Sequence, residues 1–154
     1  VTTTDLAKLI ETVLPRSKHG QSHPATRSFQ AIRIAVNKEY KELFDGLFSA
    51  EKVLSSGGYL VLVTFHSIED RIVKRFIQAR TGKLHSTSRY MPGTDDIEAQ
   101  FTKVTRKAVK PSIDEISINP RSRSAKLRIA KRTNIKPGQS LDLEELNVPI
   151  VGGY

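Results

Sequence analysis

The stretch from Gly57 to Arg71 constrains this chain most, because it joins a helix stop, a strand and a new helix start in one run, GGYLVLVTFHSIEDR. Gly57 and Gly58 follow a helical run ending at Val53 and Leu54, and glycine is the usual residue just past a helix C-terminus. Tyr59 to Phe65 carries no charge and is almost wholly apolar. That pattern suits a strand buried on both faces, as in a parallel sheet covered by helices. Ser67 then reads as a helix N-cap, with Asp70 three residues on to complete a capping box. His66 and Ser67 therefore fall at the carboxyl end of an interior strand, where open α/β sheets bind their ligands. The layout is enzyme-like.

The flanking segments extend the same alternation. Leu6, Leu9, Ile10 and Val13 recur at helical spacing and predict a short amphipathic helix over Thr3 to Leu14. Pro15 to Ser22 is a polar, basic linker, and Pro24 suits the first turn of the next helix. The stretch on to Leu54 is too long for one ordinary helix, so a break is expected near Asn37 or Gly46. A helix over Ile68 to Arg80 should follow the strand. Thr81 to Gln100 reads as a polar loop, Phe101 to Thr105 as a strand and Pro111 to Ile118 as a short helix. Ala125, Leu127 and Ile129 alternate with Lys126, Arg128 and Ala130, the period-two mark of a half-buried strand. Residues 135–154 read as a tail, with one helical turn over Leu141 to Leu146.

Composition narrows the classes of function. The chain has 154 residues, no cysteine and a formal net charge of +9. It is long enough for one domain with a core. Without cysteine it has neither a disulfide framework nor a thiolate metal site. No apolar run approaches the ~20 residues of a membrane span. The charge points to an anionic partner, most commonly nucleic acid. His19, His23, His66 and His85 are scattered, so no metal site is expected. The His-x-Glu and paired cysteines of zinc deaminases are missing, as is the Gly-x-Ser-x-Gly elbow of a serine nucleophile.

Two further constellations carry candidate chemistry. Thr26, Gln30, Arg33 and Asn37, spaced four, three and four apart, share one helix face. A solvated polar face accounts for them, but Gln, Arg and Asn also make paired contacts to base edges or phosphates. Arg121 to Arg132 holds six basic residues and no acid, which favours contact with a phosphate backbone. Arg121 and Arg123 bracket Ser122 just after the Asn119-Pro120 turn signal.

Three segments in order carry a specific resemblance: HPATRSFQAIRIAVN from His23, FHSIEDRIVKRF from Phe65, and NPRSRSAKLR from Asn119. Over Thr2 to Thr133 the chain resembles the bacterial small-subunit ribosomal RNA cytosine-N4 methyltransferases of the MraW type, a family with a mitochondrial branch. The resemblance implies an α/β fold: the C-terminal half of a class I, Rossmann-like, S-adenosylmethionine-dependent methyltransferase domain. Residues 1–20 would end a helical insertion, 21–134 would belong to the methyltransferase core, and 135–154 would be a tail. Tyr59–Phe65 would be an interior parallel strand. Phe101–Thr105 and Ala125–Lys131 would close the sheet, one of them antiparallel.

The implied activity is methylation of the exocyclic N4 of one cytidine in small-subunit (16S) rRNA near the decoding site. S-adenosylmethionine would be the donor, and the rRNA or ribosomal subunit the partner. The setting would be the cytoplasm, or the mitochondrion in the organellar branch; no membrane or metal is implied, and a homodimer stays open. By position, His66 and Asn37 would line the cytidine pocket as catalytic residues. Arg27, Arg33, Arg121, Arg123, Lys126 and Arg128 would bind RNA.

The family's cofactor loop and ribose-gripping acid have no match here. The glycine pairs stand at Gly57-Gly58, before a strand, and at Gly152-Gly153, whereas a nucleotide loop follows a strand and opens a helix. No cofactor-binding residue is therefore expected in this chain, which reads as the C-terminal half of a longer enzyme, inactive alone. The alternatives are a non-catalytic RNA-binding module and one half of a split methyltransferase.

Overall fold

The computed structural model describes residues 2–14, 23–82, 99–139, 141 and 146. The chain divides into two compact units, Val1–Glu39 with Val151–Tyr154, and Tyr40–Ile150. No described helix is long and apolar enough to cross a membrane.

The first unit contains α1 (Thr3–Val13) and α2 (Thr26–Asn37). Thr2 opens α1 in a capping box: its hydroxyl accepts from the Asp5 backbone N–H, and the Asp5 carboxylate accepts from the Thr2 N–H. That backbone hydrogen bond, with the hydroxyl contact behind it, holds the Asp5 carboxyl below its ordinary pKa. α2 ends where Lys38 takes a left-handed conformation, φ 50°. This puts the expected break at Lys38, not Gly46, and α3 (Glu39–Val53) starts directly after it.

The second unit is built from α3, β1 (Tyr59–Thr64), α4 (Ser67–Arg80), β2 (Phe101–Lys103), α5 (Ile113–Ile118), a 3-10 turn (Pro120–Ser124) and β3 (Lys126–Arg132). At the α3–β1 turn Gly57 has φ +82°, and a Cβ on Gly58 would lie 2.9 Å from the Ser55 carbonyl oxygen. Both positions require glycine. The sheet order is β1-β3-β2, with β3 central and antiparallel to both neighbours. β1 and β2 are thus parallel to each other. The strand expected to run to Thr105 ends at Lys103 because the Val104 and Thr105 N–H groups both donate to the Ile129 carbonyl, which breaks the ladder.

α4 packs on one face of all three strands. Tyr40, Phe44, Leu47 and Phe48 of α3, with Ile72, Val73, Phe76 and Ile77 of α4, form the buried faces of their helices. Phe44, Phe48, Phe76 and Phe101 lie in a row with centroids 4.7, 5.3 and 6.2 Å apart, the first pair tilted and the other two edge to face. Burying each such ring contributes about 1.5–3 kcal/mol.

Two expectations change here. β1 is an edge strand in this sheet and is covered on one side: Leu60 and Thr64 are buried, but Tyr59, Val61, Val63 and Phe65 are 57, 55, 55 and 58% exposed. Its apolar run reflects two faces fit for burial, of which α4 covers one. In β3 the inward face is the basic one. Ala130 and Arg132 are buried and Lys126 and Arg128 reach α4, whereas Leu127 and Ile129 pair with Val63 and Val61 on the open side. Carboxylates and carbonyls on the inner side supply the partners that burying these cations demands.

Residues 135–139, read as a tail, are tied to the core. The Gly138 N–H donates to Glu51, and the Gln139 carbonyl accepts from Arg80. Leu146 is fully buried and its carbonyl accepts from Arg75. The helical turn expected over Leu141 to Leu146 lies mostly outside the described residues.

Candidate functional site

β1 delivers Phe65, His66 and Ser67 to its carboxyl end, but the helix starts one residue earlier than the sequence suggests. His66 is the N-cap of α4: its Nδ1 accepts from the Ile68 N–H at 3.4 Å, and Glu69 returns the box by accepting from the His66 N–H at 3.1 Å. The Phe65 N–H also donates to Glu69, at 3.2 Å. Ser67 is the first helical residue, so its hydroxyl is not spent on the cap.

Asp70 is released from capping for a different task. Its carboxylate accepts from Arg128 Nε and Nη2 at 2.7 and 3.2 Å, and from Lys126 Nζ at 3.1 Å. Burial pushes the Asp70 carboxyl up, but hydrogen bonds and charge from Arg128 and Lys126 outweigh it, leaving the pKa below its ordinary value. Lys126 and Arg128 therefore fix β3 to α4 through Asp70.

The preceding turn presents the other arginines. Asn119 accepts from the Arg121 N–H through its side chain and from the Ser122 hydroxyl through its carbonyl. Ser122 is buried, so Arg121 and Arg123 on either side project as exposed cations, without an ion-pair partner among the described residues. The register sets Lys126 opposite Thr64, so this turn abuts the carboxyl end of β1. Lys110, next to the Val109–Leu127 bridge, joins it.

The remaining candidates lie on α2 in the first unit. Arg33 donates twice to Glu39, at 2.7 and 2.9 Å, and Asn37 donates to the same carboxylate at 3.4 Å. Arg27 is exposed. The structure thus brings Arg123 and Lys126 together at the carboxyl end of β1; His66 and Arg121 belong to the same unit, while Arg27, Arg33 and Asn37 share a helix in the first. Sequence reasoning missed Phe65 and Lys110. Phe65 reads as the end of a strand, and no spacing rule links Lys110 to a strand end so distant in sequence.

With this geometry established, comparison with known proteins decides the family. A model of the MraW methylase family matches residues 1–133. The chain belongs to that family. It is 56% identical to a ribosomal RNA small subunit methyltransferase H from Ruegeria sp. (strain TM1040), over 148 residues that make up 96% of this chain and 45% of that protein. The protein of the same name from Roseobacter denitrificans is 53% identical over 150 residues, 97% of this chain and 45% of the relative. That of Jannaschia sp. (strain CCS1) is 52% identical over 152 residues, 99% and 46%. The chain spans less than half the length of the curated relatives it matches. The mixed α/β unit with its three-stranded sheet is consistent with part of a methyltransferase.

The cap assignment yields a test. His66→Ala should cost about 1 kcal/mol of stability, the usual loss for an N-cap. Ser67→Ala should stay within about 0.5 kcal/mol, as exposed substitutions do. Urea denaturation of both variants reads this directly, and the reverse order of losses would return the cap to Ser67.

Proposed function

We propose that this chain forms the substrate side of an enzyme that transfers a methyl group from S-adenosylmethionine to the exocyclic N4 of one cytidine in small-subunit rRNA, near the decoding site. The carrying observation is that the carboxyl end of β1 meets the Arg121–Lys126 turn, setting free cations and hydroxyls around a strand end of an α/β sheet. Family membership and the names of the relatives support the reaction class. The cytosine amine is a poor nucleophile because its lone pair is delocalised into the ring, so such a site gains most by holding it in line with the methyl group. His66, its Nδ1 engaged in the cap, has Nε2 left to face the base; Asn37 is the second candidate. Arg27, Arg121 and Arg123 take phosphates, and Asp70 positions Lys126 and Arg128 behind them.

The described residues do not fit the methyl donor. The glycine pair serves the α3–β1 turn, and Glu51, Glu69 and Asp70 are engaged by Arg80, the His66 backbone and the β3 cations. When bound, S-adenosylmethionine would supply an electrophilic methyl; no step of that transfer is assigned to these residues.

The exposed stripe of Tyr59, Val61 and Val63 on an edge strand is an open apolar edge of the kind that proteins cover. In the proposed enzyme the rest of a doubly wound sheet and its helices cover it. Val61→Asn should therefore cost the whole gene product about 1–3 kcal/mol, from a buried polar group without a partner, but the 154-residue chain alone less than about 0.5 kcal/mol. Equal effects in both, read by thermal melting, would show the stripe to be true surface.

The reaction itself is tested with the whole product of the gene, unmodified small ribosomal subunits and labelled S-adenosylmethionine. Nucleoside mass spectrometry should find N4-methylcytidine at one position. Label on another atom or base, or none, would sink the reading.

A further inference from the structure

At the carboxyl end of β1 lies a hollow of about 260 Å³ lined by Phe65, Ser67, Lys110, Arg123, Ser124 and Lys126. Three segments far apart in sequence build it, held together by the Thr64–Lys126 register and the Val109–Leu127 bridge. Phe65 is 58% exposed, an aromatic ring in the lining of the hollow. Lys110 and Arg123 are exposed and have no ion-pair partner among the described residues. The Ser67 hydroxyl is not used by the cap, because His66 fills that role. Lys126 is held to Asp70 at 3.1 Å, which stiffens the wall without adding a loose cation.

An aromatic face with unpaired cations at its rim is how proteins hold single-stranded nucleic acid, bases stacking on the ring and phosphates on the charges. The hollow is slightly smaller than the ~300 Å³ of drug-sized pockets, which limits it to a ligand the size of one nucleotide. A base inside a duplex has both faces occupied by its neighbours and offers none to Phe65, whereas unpaired bases can splay out.

We propose that this hollow seats one unpaired RNA nucleotide, its base stacked on Phe65 and its phosphates between Lys110 and Arg123. The Ser67 and Ser124 hydroxyls line its polar side. The choice of RNA rests on the function proposed above; the stacking geometry concerns binding alone.

The test uses the whole gene product with a short single-stranded RNA carrying pyrrolo-cytidine, whose emission reports stacking, and a duplex of the same sequence. Phe65→Leu should weaken single-strand binding about ten-fold, within the range for one lost base–aromatic stack, and abolish the emission change. Phe65→Trp should preserve both, and duplex affinity should not move. Lys110→Ala and Arg123→Ala should each reduce the log–log salt slope by about 0.7, one phosphate's share on a single strand. Wild-type affinity, emission and slopes in these variants would overturn the proposal and leave Phe65 as part of the open sheet face. Stacking as described but no methyl transfer to rRNA would uphold this site and overturn the proposed reaction.

Discussion

Glu51→Ala should be the most damaging single change in the second unit, lowering its stability by about 3–5 kcal/mol. Glu51 is 1% exposed and its carboxylate accepts from Arg80 Nε at 2.9 Å and from the Gly138 N–H at 3.0 Å. Arg80 is 6% exposed and its guanidinium lies 5.0 and 5.8 Å from the Phe48 and Phe76 ring centres. Removing the carboxylate strands a buried cation against two aromatic rings and leaves the Gly138 N–H without its acceptor. Glu51→Gln keeps an acceptor and should lose less. The double change Glu51→Leu with Arg80→Met should recover much of the deficit, because apolar pairs of similar volume often replace buried ion pairs without loss. Denaturant midpoints of the three variants test this; a double variant as unstable as Glu51→Ala would mean that the pair contributes more than its own desolvation.

Asp70→Ala should come second, costing about 3 kcal/mol because it leaves Lys126 and Arg128 facing each other without their counter-charge. The group also sets an acid limit on stability. Its folded-state pKa lies below the ordinary 3.8, so its contribution is fully present above the unfolded-state value and fades as pH falls through the folded one. Wild-type stability should therefore drop more steeply than that of Asp70→Asn as the pH falls below about 4, the range where an unperturbed Asp titrates. Melting curves across that range decide it; parallel pH profiles would show that the carboxylate is not held by its two cations.

The same carboxylate illustrates where local reasoning stops. His66…Glu69 and Ser67…Asp70 offer two capping boxes one residue apart, and serine is the better intrinsic cap. The choice fell to His66 because Asp70 is drawn to Lys126 and Arg128, 56 and 58 residues away, and a side chain committed there cannot also return a cap. A serine hydroxyl was thereby left at the strand end, and two of the basic residues of β3 are tied to α4. Phe65 and Lys110 stayed unnoticed for the same reason, since only the register of β1 with β3 brings them together.

Local chemistry alone determined most of the elements. The glycine turn before β1, the apolar run of Tyr59–Thr64, the helical faces of α3 and α4, and the Asn119-Pro120 turn that projects Arg121 and Arg123 all follow from backbone freedom, side-chain shape and periodicity. The three long motifs carried the family as well. Tertiary structure alone decided which face of each strand is inside. Alternation says that β3 has two unlike faces but not which one is buried, and the basic face won because Asp70, Glu51 and Gln100 wait on the inner side with acceptors. Burying a cation is unfavourable until its partners are in place, and those partners come from residues that the linear sequence keeps far apart.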